Sequence, residues 1–576
     1  MHDTRTHPGW GTVSPIHRTV VGSLLLYLSA VCLCTFFPFP VHTDTALFLY
    51  RQDRWLLLTE CGLLLIACIS LDDRQRQLRL PQRLLPVVAL GLLGLCYAGS
   101  KWILFGYQMS RDEQMAVFDS RVFSAGLLVQ PLPSGWQTHA SALNTSFMLP
   151  GVHPDAWVSA YLPMNAVLRA VVGLVADPVL TGPLMVALGL ISLWKCSRLL
   201  WPDDREASVV AVLLYVGSGQ ILFAGMTAYA MPAHLAFDLL WLWFFLLNRR
   251  VTDLAALFVA FVATGLHQPL FHPLFAAPIL FTLVLDRNWR RVALFATGYV
   301  AICAFWLAWP DWMHALVSGP ASITAGTGTD YFNRLSLTLS KGDLLRSREM
   351  GANVLRFFAW QHMLLLPLMA AGIAVARREH LAAAFAASVI LPVCVMLVIL
   401  PYQGHGFGYR YVHGVIGAAI LLAVYGWRRI VADRPWLRPL VVRTTLAGIL
   451  VLLPLQAWMA RSFYAPFAGI DRRIKESGTD YFIIGARDAP YSHDLVINRP
   501  DLSNRPIRLF GEEVDGALIR SICRSGVTVA MPTSALLRPI ETYFINSHSR
   551  RADKRIADLS PRLSAAGCTV VRIDGP

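Results

Sequence analysis

The stretch "LPVVALGLLGLCYAGSKWILFGYQMSRDEQMAVFDSRVFSAGL", residues 85–127, shows how this chain is built. Residues 85–106 form an apolar run long enough to cross a bilayer as a helix. The adjacent acidic pair Asp112-Glu113 follows the run. Apolar residues then recur at helical spacing on one side: Met115, Phe118, Val122 and Ala125. We therefore expect a transmembrane helix, two carboxylates at its exit, and an amphipathic helix lying on the membrane surface.

The composition indicates a membrane protein throughout. Of 576 residues, 55% are hydrophobic and 15% are charged, and the mean hydropathy is +0.50. A soluble protein has about 25% charged residues. The formal charge of +14 does not indicate a nucleic-acid partner, because basic residues also mark the inner ends of membrane spans. The fold class we predict is a polytopic α-helical membrane protein with membrane lipids as partners.

The apolar runs predict about thirteen transmembrane helices. Their approximate positions are 19–37, 55–71, 85–106, 178–195, 207–226, 233–248, 253–267, 271–286, 292–309, 353–375, 381–400, 412–427 and 444–460. The first run lacks a small-residue cleavage site, so we expect it to be retained as a span.

Charge predicts the orientation. With the N-terminus inside, every inside connection is rich in basic residues, for example "DDRQRQLRLPQR" and "RRIVADRPWLRPLVVR". The short outside connections near Thr227 and Gln268 contain no Lys or Arg. This asymmetry is what the positive-inside rule requires. We expect a multi-pass protein of the bacterial inner membrane, with a cytoplasmic N-terminus and a periplasmic C-terminus.

Three modules follow from this topology. Residues 1–84 contain an N-terminal tail and two extra spans, and residues 85–460 form a transmembrane module with outer loops 107–177 and 310–352. Residues 461–576 are predicted as a small external α/β domain, because "RLFGEEV", "GVTVAMP" and "CTVVRID" resemble short strands. Cys523 and Cys568 both lie there, and the sequence leaves open whether they form a disulfide.

The segment 157–176 has two interpretations. It is nearly long enough to span the membrane, but as a span it would place the basic loop 195–205 outside. Asn165 and Arg169 lie in its middle. We therefore favour a second interfacial helix.

Unusual polar residues gather at the outer ends of the predicted spans. They are Asp112, Glu113, His234, His267, Gln268, His272, His405, Arg410 and His413. Polar groups at a membrane edge are costly, so their convergence predicts an outward-facing cavity. Any single His among them is equally well a solvated loop residue or a helix cap. The spacing of "HQPLFH" across a proline is poor for one helix face, which disfavours a metal site built on it.

The chain resembles the GT-C superfamily of membrane glycosyltransferases in three motifs, in their order along the sequence and in the side of the membrane on which they are predicted to lie. This superfamily includes protein O-mannosyltransferases and lipid A aminoarabinose transferases. The motifs are "RDEQMAVFDSRVFSAGL" in the first outer loop, "AYAMPAHLAFDLLWLWFFLL" after the second outer turn, and "GYRYVHGVIGAAILLAVYGW" at a late span. The resemblance covers roughly residues 85–460.

The resemblance implies an enzyme that moves a hexosyl or pentosyl group from a polyprenyl-phosphate donor to a glycan, lipid or protein acceptor on the outer face. It implies Asp112 as general base and inversion at the anomeric carbon, and it leaves Glu113 to orient Asp112, to hold a divalent cation or to have no catalytic role. It implies Arg410 and Tyr411 at the donor phosphate, with Lys341, Arg346 and Arg348 as weaker candidates. His234, His267, Gln268, His272, His405 and His413 would then line the substrate cavity. Whether a metal is required stays open.

The chain departs from the family pattern twice. Many relatives have an Asp in the second outer turn, where this chain has His234, and the nearest acid, Asp238, lies a turn deeper. Two extra spans also precede the acidic loop, and we expect them to leave the catalytic core untouched if they pack at its edge.

Three other functions compete with this interpretation. An O-antigen ligase or polymerase would use Arg and His of the 310–352 loop and of "GHGFGYRYVHG" rather than Asp112. A lipid or solute transporter would place polar residues near the bilayer midplane, often with inverted repeats, and the sequence shows neither. A structural or assembly protein would be built around the external domain.

Overall fold

The computed structural model describes residues 15–36, 44–68, 78–149, 155–318, 344–400, 402–485, 492–544 and 550–575. Helices dominate as far as Glu476. Their bounds are Pro15–Phe36 (α1), Asp44–Phe48 (α2), Arg54–Cys68 (α3), Leu85–Trp102 (α4), Arg111–Ser124 (α5), Ser134–Gln137 (α6), Met164–Gly173 (α7), Thr181–Leu200 (α8), Arg205–Val216 (α9), Gly219–Gly225 (α10), Met231–Leu247 (α11), Arg250–Thr264 (α12), Phe271–Leu285 (α13), Trp289–Ser318 (α14), Leu344–Ala359 (α15), Leu365–Ala376 (α16), His380–Ile399 (α17), Ile416–Asp433 (α18), Arg438–Ala447 (α19) and Leu453–Glu476 (α20).

Several of these helices can cross a membrane. Five described helical segments are long and apolar enough: Gln82–Trp102, Pro178–Leu200, Trp289–Ser318, His380–Ile399 and Pro435–Glu476. The pair α9 and α10, bent by 59°, makes a sixth if it crosses as one span. Large apolar side chains such as Leu90, Phe258 and Val300 are more than 60% exposed, as expected where lipid covers a helix. The chain is a membrane protein, and the count of about thirteen spans stays a prediction.

Two predicted spans are broken in the structure. The prediction of one span over 353–375 is wrong, because a turn separates α15 from α16. Helix α15 also departs from the apolar pattern of a span, since Arg356 is fully buried in it and pairs with Asp53 at 2.8 Å. The predicted span 207–226 bends where Ser218 caps α10 by accepting a hydrogen bond from the Ile221 amide.

Two other helical segments extend beyond the bounds of their predicted spans. Helix α14 continues to Ser318, and α15 begins at Leu344, so both ends of the predicted outer loop 310–352 are helical. From Arg438 to Glu476 the chain is helical throughout, with a π-helical turn at Gly448–Leu452. The predicted module boundary between residues 460 and 461 falls inside this long helix.

The first outer loop, 107–177, is compact. Strands β1 (Gln130–Pro131) and β2 (Ala156–Trp157) pair antiparallel, and α5 packs on α7. Helix α7 has 10 residues, which at about 1.5 Å per residue is too short to cross a bilayer. The segment 157–176 is therefore not a span.

The apolar face of α5 does not lie on lipid. Met115, Phe118 and Val122 are buried as the pattern predicts, but in a core that continues through Trp157 into the C-terminal sheet. Ala125, expected on the same face, is exposed. The expectation of a helix lying on the membrane surface is thus wrong for this face, because the C-terminal residues supply the apolar cover.

The C-terminal part contains a parallel sheet. Its strands are Tyr481–Ile484 (β3), Ile507–Phe510 (β4), Thr528–Pro532 (β5) and Thr569–Ile573 (β6), in the order β4-β3-β5-β6. Helices Gly516–Ile522 (α21), Ser534–Tyr543 (α22) and Arg550–Ala565 (α23) connect them. Three strands lie in the segments predicted as strands, whereas β3 was not predicted. Cys523 and Cys568 form a disulfide.

Candidate functional site

The acidic pair begins helix α5. The Ser110 hydroxyl accepts a hydrogen bond from the Glu113 amide at 3.3 Å, which caps the helix and places both carboxylates in its first turn. Negative charge is favourable there, because the helix dipole is positive at its N-terminus. Adjacent residues on a helix point about 100° apart, so the two carboxylates reach different surroundings.

Glu113 is enclosed by hydrogen-bond donors. One oxygen accepts from the Ala228 amide at 3.0 Å, and the other from the Met109 amide at 3.1 Å and the Tyr464 hydroxyl at 3.2 Å. Burial raises the pKa of Glu113, while the bonds from Ala228 and Met109 oppose that rise. Glu113 therefore links the predicted first outer loop to the turn that contains Ala228 and to α20, and these contacts indicate a structural role for it.

Asp112 faces a different set of groups. Its Oδ2 accepts a hydrogen bond from Nη1 of Arg410 at 2.7 Å, and its Oδ1 accepts one from the Tyr161 hydroxyl. Burial raises the pKa of Asp112, but the charge of Arg410 and the nearby His267 overcome it, and the pKa falls to about 2. Asp112 is therefore ionised at neutral pH, with both oxygens occupied.

Arg410 is held from several sides. Its guanidinium carbon lies 4.7 Å from the centre of the Tyr229 ring, a cation–π distance, and its amide donates to Oε1 of Gln403 at 2.8 Å. Gly406 lies directly against the side chain, since a Cβ there would be 2.4 Å from Cδ of Arg410. The glycines of "GHGFG" thus let the loop fold over the arginine.

Two histidines border this pair. His267 stacks on Tyr161 with ring centres 4.6 Å apart, and burial lowers its pKa to about 4, so the imidazole is neutral. Neither of its ring nitrogens has a hydrogen-bond partner in the described part of the chain. Nδ1 of His405 lies 3.1 Å from the Tyr229 hydroxyl, at hydrogen-bonding distance.

A small cavity of about 10 Å³ lies below Arg410, room for about one water molecule. Six residues that line it are His234, Asp238, Phe271, Arg410, Tyr411 and His413. Both nitrogens of His234 and of His413 lack partners among the described residues. Asp238 bonds Nδ1 of His272 at 2.6 Å, and Nε2 of His272 lies 2.8 Å from the Tyr299 hydroxyl. A buried acid–imidazole–phenol chain thus underlies the cavity.

Most of the predicted site residues meet in this region. Asp112, His267 and His405 gather around Arg410, and His234, Tyr411 and His413 line the cavity. His272 lies beneath the cavity, and Gln268 follows His267 in the turn before α13. Lys341 lies outside the described residues, as does the side chain of Arg346, whose backbone belongs to α15.

The sequence did not reveal the aromatic hydroxyls. Tyr161, Tyr229 and Tyr464 each contact a charged or imidazole group of the site, yet they come from three segments far apart in the chain. Tyr161 in "SAYLP" and Tyr229 in "TAYAMP" lie just before helices α7 and α11, whereas Tyr464 lies within α20, so no common sequence signal singles them out.

The oxygens of the acidic pair are all engaged in hydrogen bonds. Both oxygens of Asp112 and both of Glu113 already accept hydrogen bonds. In the described part of the chain, no group of three or more His, Cys, Asp or Glu side chains lies close enough to hold a metal. The divalent cation stays a prediction.

Comparison with known proteins gives a distant likeness. No family model and no curated protein matches the chain. Two solved structures that it resembles are both of ArnT from Cupriavidus metallidurans. The one bound to undecaprenyl phosphate has a TM-score of 0.46 and 13% identity, covering 85% of this chain and 89% of that one. The apo structure has a TM-score of 0.45 and 13% identity, covering 80% and 88%. At TM-scores below 0.5, neither likeness carries an argument about function.

Proposed function

We propose that this membrane protein is a glycosyltransferase that moves a sugar from a polyprenyl-phosphate donor to an acceptor hydroxyl at the outer face of the membrane. The observation that carries the proposal is the buried pair of Asp112 and Arg410, a carboxylate and a guanidinium 2.7 Å apart at the outer ends of apolar helices. Such a pair offers a proton acceptor and a phosphate-binding cation at one place.

The reaction needs both groups. The acceptor oxygen attacks the anomeric carbon, and its proton passes to the carboxylate of Asp112. The bond from that carbon to the phosphate oxygen breaks, and its electron pair leaves with the polyprenyl phosphate. Arg410 stabilises the charge that develops on this phosphate. A single displacement of this kind inverts the configuration of the sugar carbon.

The low pKa of Asp112 fits a base that is activated by the substrate. With Arg410 paired to it, Asp112 binds a proton poorly, since its pKa is about 2. A donor phosphate that draws Arg410 away removes the largest attraction on the carboxylate, and the pKa of Asp112 rises towards its ordinary range. Asp112 then becomes a competent base when the donor is in place.

The apolar helices support entry of a lipid-linked donor from the bilayer. The sugar of such a donor lies at the headgroup plane, which is where an outer loop built on spans presents its side chains. The cavity below Arg410 has room for about one water molecule, so the sugar itself requires this region to open on binding. Loop and domain closure over substrates is common in enzymes.

Substitution of Asp112 tests the proposal. Purified protein is given polyprenyl-phosphate sugars, and released polyprenyl phosphate is measured. We expect Asp112→Asn to lower the rate about 10²- to 10⁴-fold, the usual contribution of a general base. The matched control is Asp177→Asn, which removes another aspartate of the predicted outer loop. Asp177 pairs with Lys101 at 3.0 Å and does not line the cavity. Full transfer by Asp112→Asn would show that another group, or the ligase chemistry, is at work.

A further inference from the structure

A second, wider cleft lies between α5, the end of α20 and the loop before β4. Its volume is about 580 Å³, within the range of ligand pockets. Five exposed cations line it: Arg121, Arg472, Lys475, Arg499 and Arg505. None of its lining residues belongs to the cavity below Arg410. The cleft is therefore a separate site.

The positive charge of this cleft is poorly balanced. Asp471 is the single acidic residue on its described walls, and it already pairs with Arg508 at 2.7 Å and with Lys475 at 2.6 Å. Burial and then the charge of Arg499 lower the pKa of Arg121, and the nearby Asp501 opposes this lowering, so the repulsion between the two arginines is only partly offset. A bound anion would relieve this repulsion.

The loop that carries two of the arginines is fixed by its own side chains. It contains the tripeptide Asn-Arg-Pro twice, at 498–500 and 504–506. Asn498 bonds both the amide and the carbonyl of Arg508, at 2.9 and 2.8 Å. Asn504 donates to Asn498 at 3.0 Å and accepts from the Arg499 amide at 2.7 Å. The two loop arginines thus extend from a backbone that is already ordered before any ligand binds.

We infer that this cleft binds a phosphate-bearing ligand. Guanidinium groups form paired, charge-assisted hydrogen bonds to phosphate oxygens, and several of them around one cleft suit a group with two or more negative charges. Ordering of the loop in advance lowers the entropy that binding costs. Arg111 also lines the cleft and directly precedes Asp112 on α5, so a ligand held here lies against the helix that carries Asp112. The inference does not depend on the proposed glycosyl transfer.

The experiment measures binding of inorganic pyrophosphate to the full-length protein in phosphatidylcholine nanodiscs by calorimetry. We expect the double variant Arg499→Gln/Arg505→Gln to bind at least about tenfold more weakly than wild type, because charge-assisted bonds are lost. The matched control, Arg520→Gln/Arg524→Gln, removes two exposed arginines of the same domain outside the cleft and should bind as wild type does.

A third variant separates this cleft from the catalytic cavity. In an Arg410→Gln background, the Arg499→Gln/Arg505→Gln change should still weaken pyrophosphate binding at least about tenfold, because Arg410 lines a different cavity. The inference is overturned by a wild type that does not bind, by unchanged binding of the Arg499/Arg505 variant, or by the absence of this weakening in the Arg410→Gln background.

The lipid composition of the nanodisc distinguishes the possible sources of the phosphate. If phosphatidylglycerol added to the nanodisc competes with pyrophosphate and weakens its binding, the ligand is a lipid headgroup. Unchanged binding identifies a soluble or glycan-linked phosphate.

Discussion

Nη1 of Arg410 donates to Oδ2 of Asp112 at 2.7 Å across a sequence separation of 298 residues. The two side chains are 6% and 15% exposed, so the pair is largely withdrawn from water. Arg410 therefore keeps Asp112 ionised, and each side chain fixes the position of the other.

The first prediction concerns pH. In wild type the low pKa of Asp112 keeps the base ionised, so the free enzyme should lose little activity on mild acidification. In Arg410→Gln the carboxylate is still buried but lacks its strongest attraction, and its pKa rises. Activity lost by protonation should then begin at higher pH. The profile of kcat/KM against pH measures this shift, and coincident acid limbs in the two proteins would contradict it.

Tyr161→Phe offers a milder version of the same change. It removes the hydrogen bond to Oδ1 of Asp112 and keeps the ring that stacks on His267. We expect a loss in kcat/KM of about tenfold, the worth of one hydrogen bond to a charged group, and a smaller upward shift of the acid limb than in Arg410→Gln. A shift larger than that of Arg410→Gln would show that Tyr161, not Arg410, dominates the carboxylate.

Gly406→Ala tests the packing of the arginine. Gly406 has φ +156°, and a Cβ would lie 2.4 Å from Cδ of Arg410, so the side chain of Arg410 must move. We expect kcat to fall about 10²-fold, since small displacements of a positioned group are costly. The matched control is Gly351→Ala, where nothing lies within 4 Å of the added Cβ. Equal activities of the two variants would refute the expectation.

The fourth prediction concerns the N-terminal helices. Arg356 is fully buried, pairs with Asp53 at 2.8 Å, and donates to the carbonyl of Gly406 at 2.7 Å. Asp53→Asn removes the negative partner and leaves a buried charge, which typically costs about 3–5 kcal/mol of folding free energy. Thermal unfolding of the purified protein measures the loss. The double variant Asp53→Asn/Arg356→Met should recover part of it, and a simple sum of the two single losses would argue against coupling.

This ion pair also corrects an expectation. The two extra N-terminal spans were expected to leave the predicted core untouched if they packed at its edge, but Asp53, which directly precedes α3, is linked through Arg356 to the loop that covers Arg410. The N-terminal helices therefore help to position that loop. A pattern of spans cannot show this link, because Asp53 and Arg356 lie 303 residues apart (356 minus 53) and neither belongs to a motif.

Local patterns were sufficient for the class of the protein and for where its polar residues collect. Long apolar runs need a lipid environment whatever their neighbours are, so the membrane class is readable from composition and spacing. The first turn of α5, with its serine cap and acidic pair, follows from residues that are adjacent in the chain.

Packing between distant segments determined which of these polar residues pair with one another. Asp112 and Glu113 are chemically similar neighbours, yet one meets Arg410 and Tyr161 whereas the other is enclosed by backbone amides and Tyr464. The apolar face of α5 found its cover in a C-terminal sheet instead of lipid. Burial and pairing depend on which distant segments meet, and the energy of a charge in a protein is set by those surroundings rather than by its neighbours in the chain.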